Sequence, residues 1–132
     1  MPRCVTATLR PRKSQIYAAE TYAVLAAVHA HLDALQDKDA VFFVDNEAAC
    51  ASLIRGSSKE EDVGKIANAV HWLLFSANCR PWFEWVDSKS NCSDGLSRDG
   101  VTDVWTRKQG WELDIAAVPT WNAVTDLELL AF

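Results

Sequence analysis

Three acidic residues are placed where carboxylate chemistry is most plausible: Glu20, Asp45 and Asp94. Asp45 directly follows the apolar run 41–44, Glu20 lies within the apolar arc of a helical pattern, and Asp94 follows the helix-capping residue Ser93. Carboxylates that cluster without a neighbouring cation repel each other, and a shared proton or a bound divalent cation relieves that repulsion. Because oxygen ligands favour Mg²⁺ or Mn²⁺ over zinc, the three acids predict a site for one of those ions.

The chemistry expected of such a site is phosphodiester hydrolysis. Two divalent cations roughly 4 Å apart can activate a water molecule and stabilise the leaving oxygen during in-line attack. Spacing alone leaves the role of Asp94 open, because an acid also suits the first turn of a helix, where the helix dipole is positive.

Two short apolar strands are predicted to position these acids. Residues 41–44 and 82–86 are rich in β-branched and aromatic side chains and should form strands buried on both faces. Two helical patterns separate them, one ending at Gly56 and one starting with a Ser58–Glu61 capping box and running to about Cys79. This order of a strand, two helices and a second strand predicts a right-handed parallel crossover. Asp45 and the loop 88–91 should therefore emerge at the same sheet edge.

A longer helix is predicted over residues 15–35, with Ser14 as its N-cap. Its apolar arc includes Glu20 and His31 and is otherwise formed by Ile16, Val24, Ala27, Val28 and Leu35. A carboxylate that faces a core must meet a cation, meet a strong donor or take a raised pKa. We expect His31 to be a hydrogen-bonded core histidine rather than a ligand.

The totals describe one folded domain of 132 residues, 49% hydrophobic, with a net charge of −5. The four cysteines lack metal-ligand spacing, which predicts buried reduced thiols. No apolar run approaches the roughly 18 residues of a membrane span, and the first residues do not resemble a signal peptide. The sequence therefore predicts an intracellular protein, cytoplasmic or nuclear, that is neither secreted nor anchored in a membrane.

The two ends differ from the core in composition. Residues 1–13 carry four basic residues and no acid, and they contain a weakly alternating run at 5–9, so they suit either a solvated basic arm that meets phosphate or a remnant edge strand. Residues 101–132 contain three of the six tryptophans and are predicted to be an appendage to a core at 14–100.

Five segments of this core resemble the ribonuclease H domain of retrotransposon reverse-transcriptase polyproteins. They are QIYAAE (15–20), VFFVDNEAA (41–49), LIRGSS (53–58), FEWVDSKSN (83–91) and NCSDGLSR (91–98). The last is similar to that family's Asn-x-x-Asp-x-x-Ser-Arg block and is the most specific of the five. The resemblance spans about residues 14–100.

The resemblance implies an α/β fold with a mixed sheet flanked by helices. It also implies an endonuclease that uses Mg²⁺ or Mn²⁺ to hydrolyse the RNA strand of an RNA–DNA hybrid. Glu20, Asp45 and Asp94 match the family's metal-ligand positions. Four further residues would contact substrate or stabilise the loop: Asn46, Lys89, Asn91 and Arg98. The implied partners are an RNA–DNA hybrid or other nucleic acid and the rest of a reverse-transcriptase polyprotein.

One departure from the family affects the expected activity. The family's site begins with a further aspartate on its first strand, whereas no Asp or Glu precedes Glu20 in this chain. The chain therefore resembles an N-terminally truncated member that lacks the first strands, and Asp87 is a remote substitute for the missing ligand. Loss of a shared ligand should disable at least one metal.

Two alternative functions stay open on the sequence alone. One is a non-catalytic ribonuclease H-fold module that binds nucleic acid or protein. The other is an unrelated small α/β interaction domain whose acids are helix caps and surface charges.

Overall fold

The computed structural model describes residues 16–91 and 102–110. The elements follow in the order α1 (Ile16–Ala30), α2 (Leu32–Leu35), β1 (Asp39–Val44), α3 (Glu47–Arg55), α4 (Glu61–Ser76), β2 (Arg80–Trp85), a 3₁₀ turn (Ser88–Ser90) and α5 (Val104–Lys108). The fold is α/β, which confirms the coarse fold class that the sequence predicts.

The two strands pair in parallel, with Val41 opposite Trp82 and Phe42 opposite Phe83. Helices α3 and α4 form the connection between them, as the sequence pattern predicts. The second strand starts at Arg80 rather than at residue 82, because α4 ends at Ser76 and the chain turns through Asn78, whose φ is 51°. The parallel arrangement carries the ends of both strands to one edge of the sheet.

Only one face of this sheet is covered among the described residues, so the prediction of strands buried on both faces is wrong. Val44 and Phe83 are buried against the helices. Val41 and Phe43 point to the opposite face, and their side chains are 57% and 63% exposed. The physical reason is that α1, α3 and α4 contribute to a single hydrophobic cluster on one side of the strands.

The buried face of α1 also differs from the predicted arc. The helix buries Ala18, Thr21, Tyr22, Leu25 and Val28, whereas Ile16 is 63% exposed. The predicted arc therefore shares only Val28 with the buried face. Because α1 is apolar on nearly every side, its periodicity says little about which side meets the core.

The predicted helix 15–35 is divided at His31. Helix α1 ends at Ala30 and the short α2 begins at Leu32, although backbone hydrogen bonds continue from His31 N–H to Ala27 and from Leu35 N–H to His31. His31 is exposed at this division, so the prediction of a core histidine is wrong.

The core lies where α1, α3 and α4 meet. Its largest fully buried side chains include Leu25 of α1, Leu53 of α3, and Ile66 and Leu74 of α4. Cys50 and Cys79 are buried free thiols, as predicted. Cys4 and Cys92 lie outside the described residues.

Two predictions concern the turn between α3 and α4, one on the end of α3 and one on the start of α4. The first is confirmed and the second is wrong. Gly56 ends α3 in the left-handed conformation with φ 70°, as the sequence indicates. The capping box is absent, because the N-cap residue of α4 is Glu60, which makes no side-chain cap. Instead, the Ser58 hydroxyl accepts from the Glu60 N–H at 3.1 Å and lies 2.8 Å from the Tyr17 hydroxyl.

Several predictions fall on residues outside the described ranges. They are the basic arm or edge strand at 1–13, the short helix after Ser93, and the Trp-rich appendage except for residues 102–110. Within that appendage, α5 is capped by Asp103, whose carboxylate accepts from the Thr106 N–H at 2.9 Å. Among the described helices, none combines the length and apolarity required to cross a bilayer.

Candidate carboxylate site

Glu20 and Asp45 meet at the carboxyl end of β1. Asp45 directly follows Val44, the last residue of the strand, and Glu20 lies one turn into α1. Both side chains are half-buried, and both line the same groove. The structure therefore brings these two acids to one place, as the sequence leads us to expect.

The environment changes the acidity of Glu20. Burial raises its pKa above the ordinary value of 4.5, and the negative charge of Asp45 and the hydrogen bond to it act in the same direction. All three causes favour the protonated form of Glu20 over its ionised form. The raised pKa is therefore one of the expected responses of crowded acids.

Asn91 joins the pair from the loop after β2. Its side-chain amide donates to Asp45 Oδ2 at 3.1 Å, across 46 positions of sequence. This contact fulfils the expectation that Asp45 and the loop 88–91 emerge at the same sheet edge. It orients one oxygen of Asp45 at the end of the groove that Glu20 also lines.

A groove of about 370 Å³ runs along α1 and β1 and includes this pair. Small side chains of α1, Ala23 and Ala27, form one wall, and the strand from Val41 to Val44 forms the other. Glu20, Asp45 and Asn91 belong to the same lining. The polar groups are therefore accessible from solvent rather than enclosed in the core.

The other predicted site residues are not part of the group formed by Glu20, Asp45 and Asn91. Asn46 is the N-cap of α3, and its Oδ1 accepts from the Ala49 N–H at 2.9 Å. Lys89 is exposed in the 3₁₀ turn, and Asp87 caps that turn by accepting from the Ser90 N–H at 3.0 Å. Asp94 and Arg98 lie outside the described residues, so the third acid of the predicted site is not described.

A second groove, of about 530 Å³, was missed by the sequence reasoning. Its polar lining comprises Tyr17, Arg55, Ser57, Ser58, Lys59 and Glu60, and Ala48 and Ala51 of α3 complete it. The Tyr17 hydroxyl bonds to Ser58 and also to Ser52, which ties α1 to α3 and to the following turn. The available signal was the pair of basic residues that flank the Gly56 turn.

The donor set partly fits a divalent cation. Two carboxylates and an amide oxygen are the hard ligands that Mg²⁺ and Mn²⁺ prefer. Within residues 16–91 and 102–110, no group of three His, Cys, Asp or Glu side chains could hold a metal. A third acidic ligand would therefore have to come from the remaining residues, where Asp94 lies.

Comparisons with family models, curated proteins and solved structures found no match for this chain.

Proposed function

We propose that this chain is a retroelement-derived ribonuclease H-like domain that hydrolyses the RNA strand of RNA–DNA hybrids in a metal-dependent reaction. The observation that supports it most is the convergence of Glu20 and Asp45 at the end of a parallel strand. Such an edge is where α/β sheets collect functional groups. A carboxyl group whose pKa is raised beside another acid is typical of metal-binding and acid–base sites.

Each residue has a distinct role in this proposal. Glu20, Asp45 and Asp94 would hold Mg²⁺ or Mn²⁺, which would supply an activated water and charge stabilisation of the leaving oxygen. Asn91 orients the Asp45 carboxylate through the hydrogen bond that it donates. Glu20 would have to be ionised to serve as a ligand, because a protonated carboxyl group binds a cation poorly.

The substrate class follows from the charges beside the pair. Tyr17 lies on α1 one turn before Glu20, and the groove that it lines carries Arg55 and Lys59 together with Glu60. Two cations in a groove reached from the same helix suit a polyanion that presents phosphates along its length. Lys89, Arg98 and Asn46 remain proposed substrate contacts.

The second candidate is a non-catalytic module of the same kind that binds nucleic acid or protein. The observation that favours it is the raised pKa of Glu20, since protonation of Glu20 relieves the repulsion from Asp45 without any metal. A basic groove can bind a polyanion whether or not the acids bind ions.

Hydrolysis of a labelled RNA–DNA hybrid separates the candidates. The full chain is assayed with Mg²⁺, with Mn²⁺ and with EDTA, alongside Asp45→Asn and the matched control Asp33→Asn, which changes an exposed acid on α2. The enzyme proposal expects metal-dependent cleavage that Asp45→Asn lowers by at least about 100-fold and that Asp33→Asn leaves unchanged.

Hybrid binding without cleavage in all three variants would support the second candidate instead. A chain that neither binds nor cleaves the hybrid would contradict the enzyme proposal and would leave the second candidate only as a protein-binding module.

A further inference from the structure

The packing of α1 is largely apolar and therefore gives little control over the rotation of this helix. Its buried residues include Ala18, Leu25 and Val28, and it packs chiefly on α4 and α3. The hydrophobic effect is not directional, and α1 is apolar on nearly every side, so other rotations about its axis would bury similar apolar area. Apolar packing alone therefore does not decide whether Glu20 faces Asp45.

The Tyr17 hydroxyl gives α1 a directional contact. It bonds to the hydroxyl of Ser52 on α3 and lies 2.8 Å from the hydroxyl of Ser58, in the turn that follows α3. Ser52 is completely buried, and the Ser58 hydroxyl is held in place because it accepts from the Glu60 N–H at 3.1 Å. The residues Tyr17, Ser52 and Ser58 thus form a hydroxyl cluster between α1 and α3.

The hydroxyl cluster opposes rotation of α1. At a side-chain radius of about 5–6 Å from the helix axis, a rotation of about 40° would move the Tyr17 hydroxyl by about 4 Å. Hydrogen bonds between hydroxyl groups extend to about 3 Å, so both contacts of Tyr17 would break. The buried Ser52 hydroxyl would then lose a partner, which is costly in a protein interior. The same rotation would move the Glu20 carboxyl by a similar distance.

The cluster connects the two elements that carry the acids. Tyr17 precedes Glu20 by about one turn of α1. Ser52 follows Asp45 by about two turns, on the helix α3 that begins at Glu47. The bond between Tyr17 and Ser52 therefore ties the helix that carries Glu20 to the helix that continues from Asp45.

We propose that Tyr17 is a positioning residue for the carboxylate site, whose hydroxyl, held by Ser52 and Ser58, fixes the rotation of α1 and so keeps Glu20 beside Asp45. Tyr17 lines the basic groove rather than the groove of the two acids, so it acts through the helix and not by touching them. The inference deepens the proposed function, which uses this pair. Its test reads the geometry of the pair and is independent of whether the chain cleaves RNA.

The test is NMR on the full chain, and the readout is the set of nuclear Overhauser effects between the side chains of Glu20 and Asp45. Tyr17→Phe keeps the aromatic ring and removes the hydroxyl. The matched control, Tyr22→Phe, makes the same chemical change at another buried position of α1, outside the hydroxyl cluster. The effects should be present in the wild type and in Tyr22→Phe and should be lost in Tyr17→Phe.

Protected amide protons in α4 report that each variant is folded. A purely structural role of Tyr17 would lower the melting temperature and leave the effects between Glu20 and Asp45 in place, and that result would overturn the proposal. Loss of these effects in both tyrosine variants would overturn it as well, because the positioning would then not be specific to the cluster.

Two further measurements keep the proposal testable if Tyr17→Phe does not fold. The double variant Ser52→Ala/Ser58→Ala keeps Tyr17 and removes both of its partners, so it should lose the same effects, and retention would refute the role of the cluster. In the wild type, the Tyr17 hydroxyl proton should exchange slowly and show a nuclear Overhauser effect to the β-protons of Ser52 or Ser58. A rapidly exchanging hydroxyl would contradict the proposal without any variant.

Discussion

Glu20 illustrates how a single carboxyl group acquires unusual properties from its neighbours. Burial, the charge of Asp45 and the hydrogen bond between them all favour its protonated form. Without a cation, ionisation of Glu20 places two negative charges side by side in a partly desolvated groove. The proposed metal site therefore carries a stability cost at neutral pH that a bound ion would remove.

The raised pKa of Glu20 predicts a pH-dependent effect of Glu20→Gln. A carboxyl group whose pKa is raised in the folded state stabilises the fold below its unfolded value of 4.5, and this contribution is lost as pH rises through the folded pKa. In EDTA, the wild type should lose thermal stability relative to Glu20→Gln as the pH rises above 4.5. Circular dichroism melting curves of both proteins measure this difference.

Asp33→Asn serves as the control for this prediction, since Asp33 is exposed on α2 and does not line the groove of Glu20 and Asp45. A stability difference between the wild type and Glu20→Gln that grows toward acid pH would show the opposite sign and contradict the assigned shift. Adding Mg²⁺ or Mn²⁺ at neutral pH should raise the melting temperature of the wild type more than that of Glu20→Gln, because ligand binding stabilises the folded state.

At the scale of elements, the junction from β1 to α3 combines structural and proposed functional roles. Asp45 ends the strand and faces Glu20, while Asn46 begins the helix and caps it. The resemblance assigned Asn46 to substrate contact, and its Oδ1 has a local structural role in the free chain. The side-chain NH₂ of Asn46 is a separate donor, so one residue can both cap the helix and contact substrate. Experiment must therefore separate the two roles.

Asn46→Ala should lower the free energy of unfolding by about 1 kcal/mol, because the Ala49 N–H loses its acceptor. Asn46→Asp keeps a capping oxygen and should retain most of that stability. Urea denaturation of the three proteins measures the difference. If Asn46→Asp lowered the free energy of unfolding as much as Asn46→Ala, the stabilising role of Asn46 would not be helix capping.

At the scale of the whole molecule, stability depends on a core placed on one side of a narrow sheet. Fully buried side chains of α1, α3 and α4 meet there, and the other face leaves Val41, Phe43 and Trp82 largely exposed. A fold of this kind depends strongly on the packing of its helices, since the two described strands bury little by themselves. The orientation of α1 is therefore decisive for both the core and the site.

Two substitutions on α1 test that orientation. Leu25 is completely buried, so Leu25→Ala should cost about 2–5 kcal/mol through lost burial and a residual cavity. Ile16 is 63% exposed, so Ile16→Ala should change stability by no more than about 0.5 kcal/mol. Urea denaturation measures the change in unfolding free energy for both variants. A larger loss for Ile16→Ala than for Leu25→Ala would support the buried arc that periodicity predicts.

Local sequence signals accounted for most of the elements and for part of the site. The apolar runs before Asp45 and after Pro81, the glycine at position 56 and the helical patterns between them predict a parallel crossover, which the register confirms. That topology is enough to bring Asn91 to Asp45. Strand ends in a parallel pair must meet at one edge whatever the details of packing.

Tertiary structure decided what local patterns leave undetermined. Periodicity cannot orient a helix that is apolar on nearly every side, so only packing against α3 and α4 showed that Leu25 faces the core and Ile16 does not. The same packing determines which side of α1 meets β1. The sequence by itself therefore determined the order of the elements and the identity of the acids, whereas the contact between Glu20 and Asp45 depends on how α1 is rotated in the folded chain.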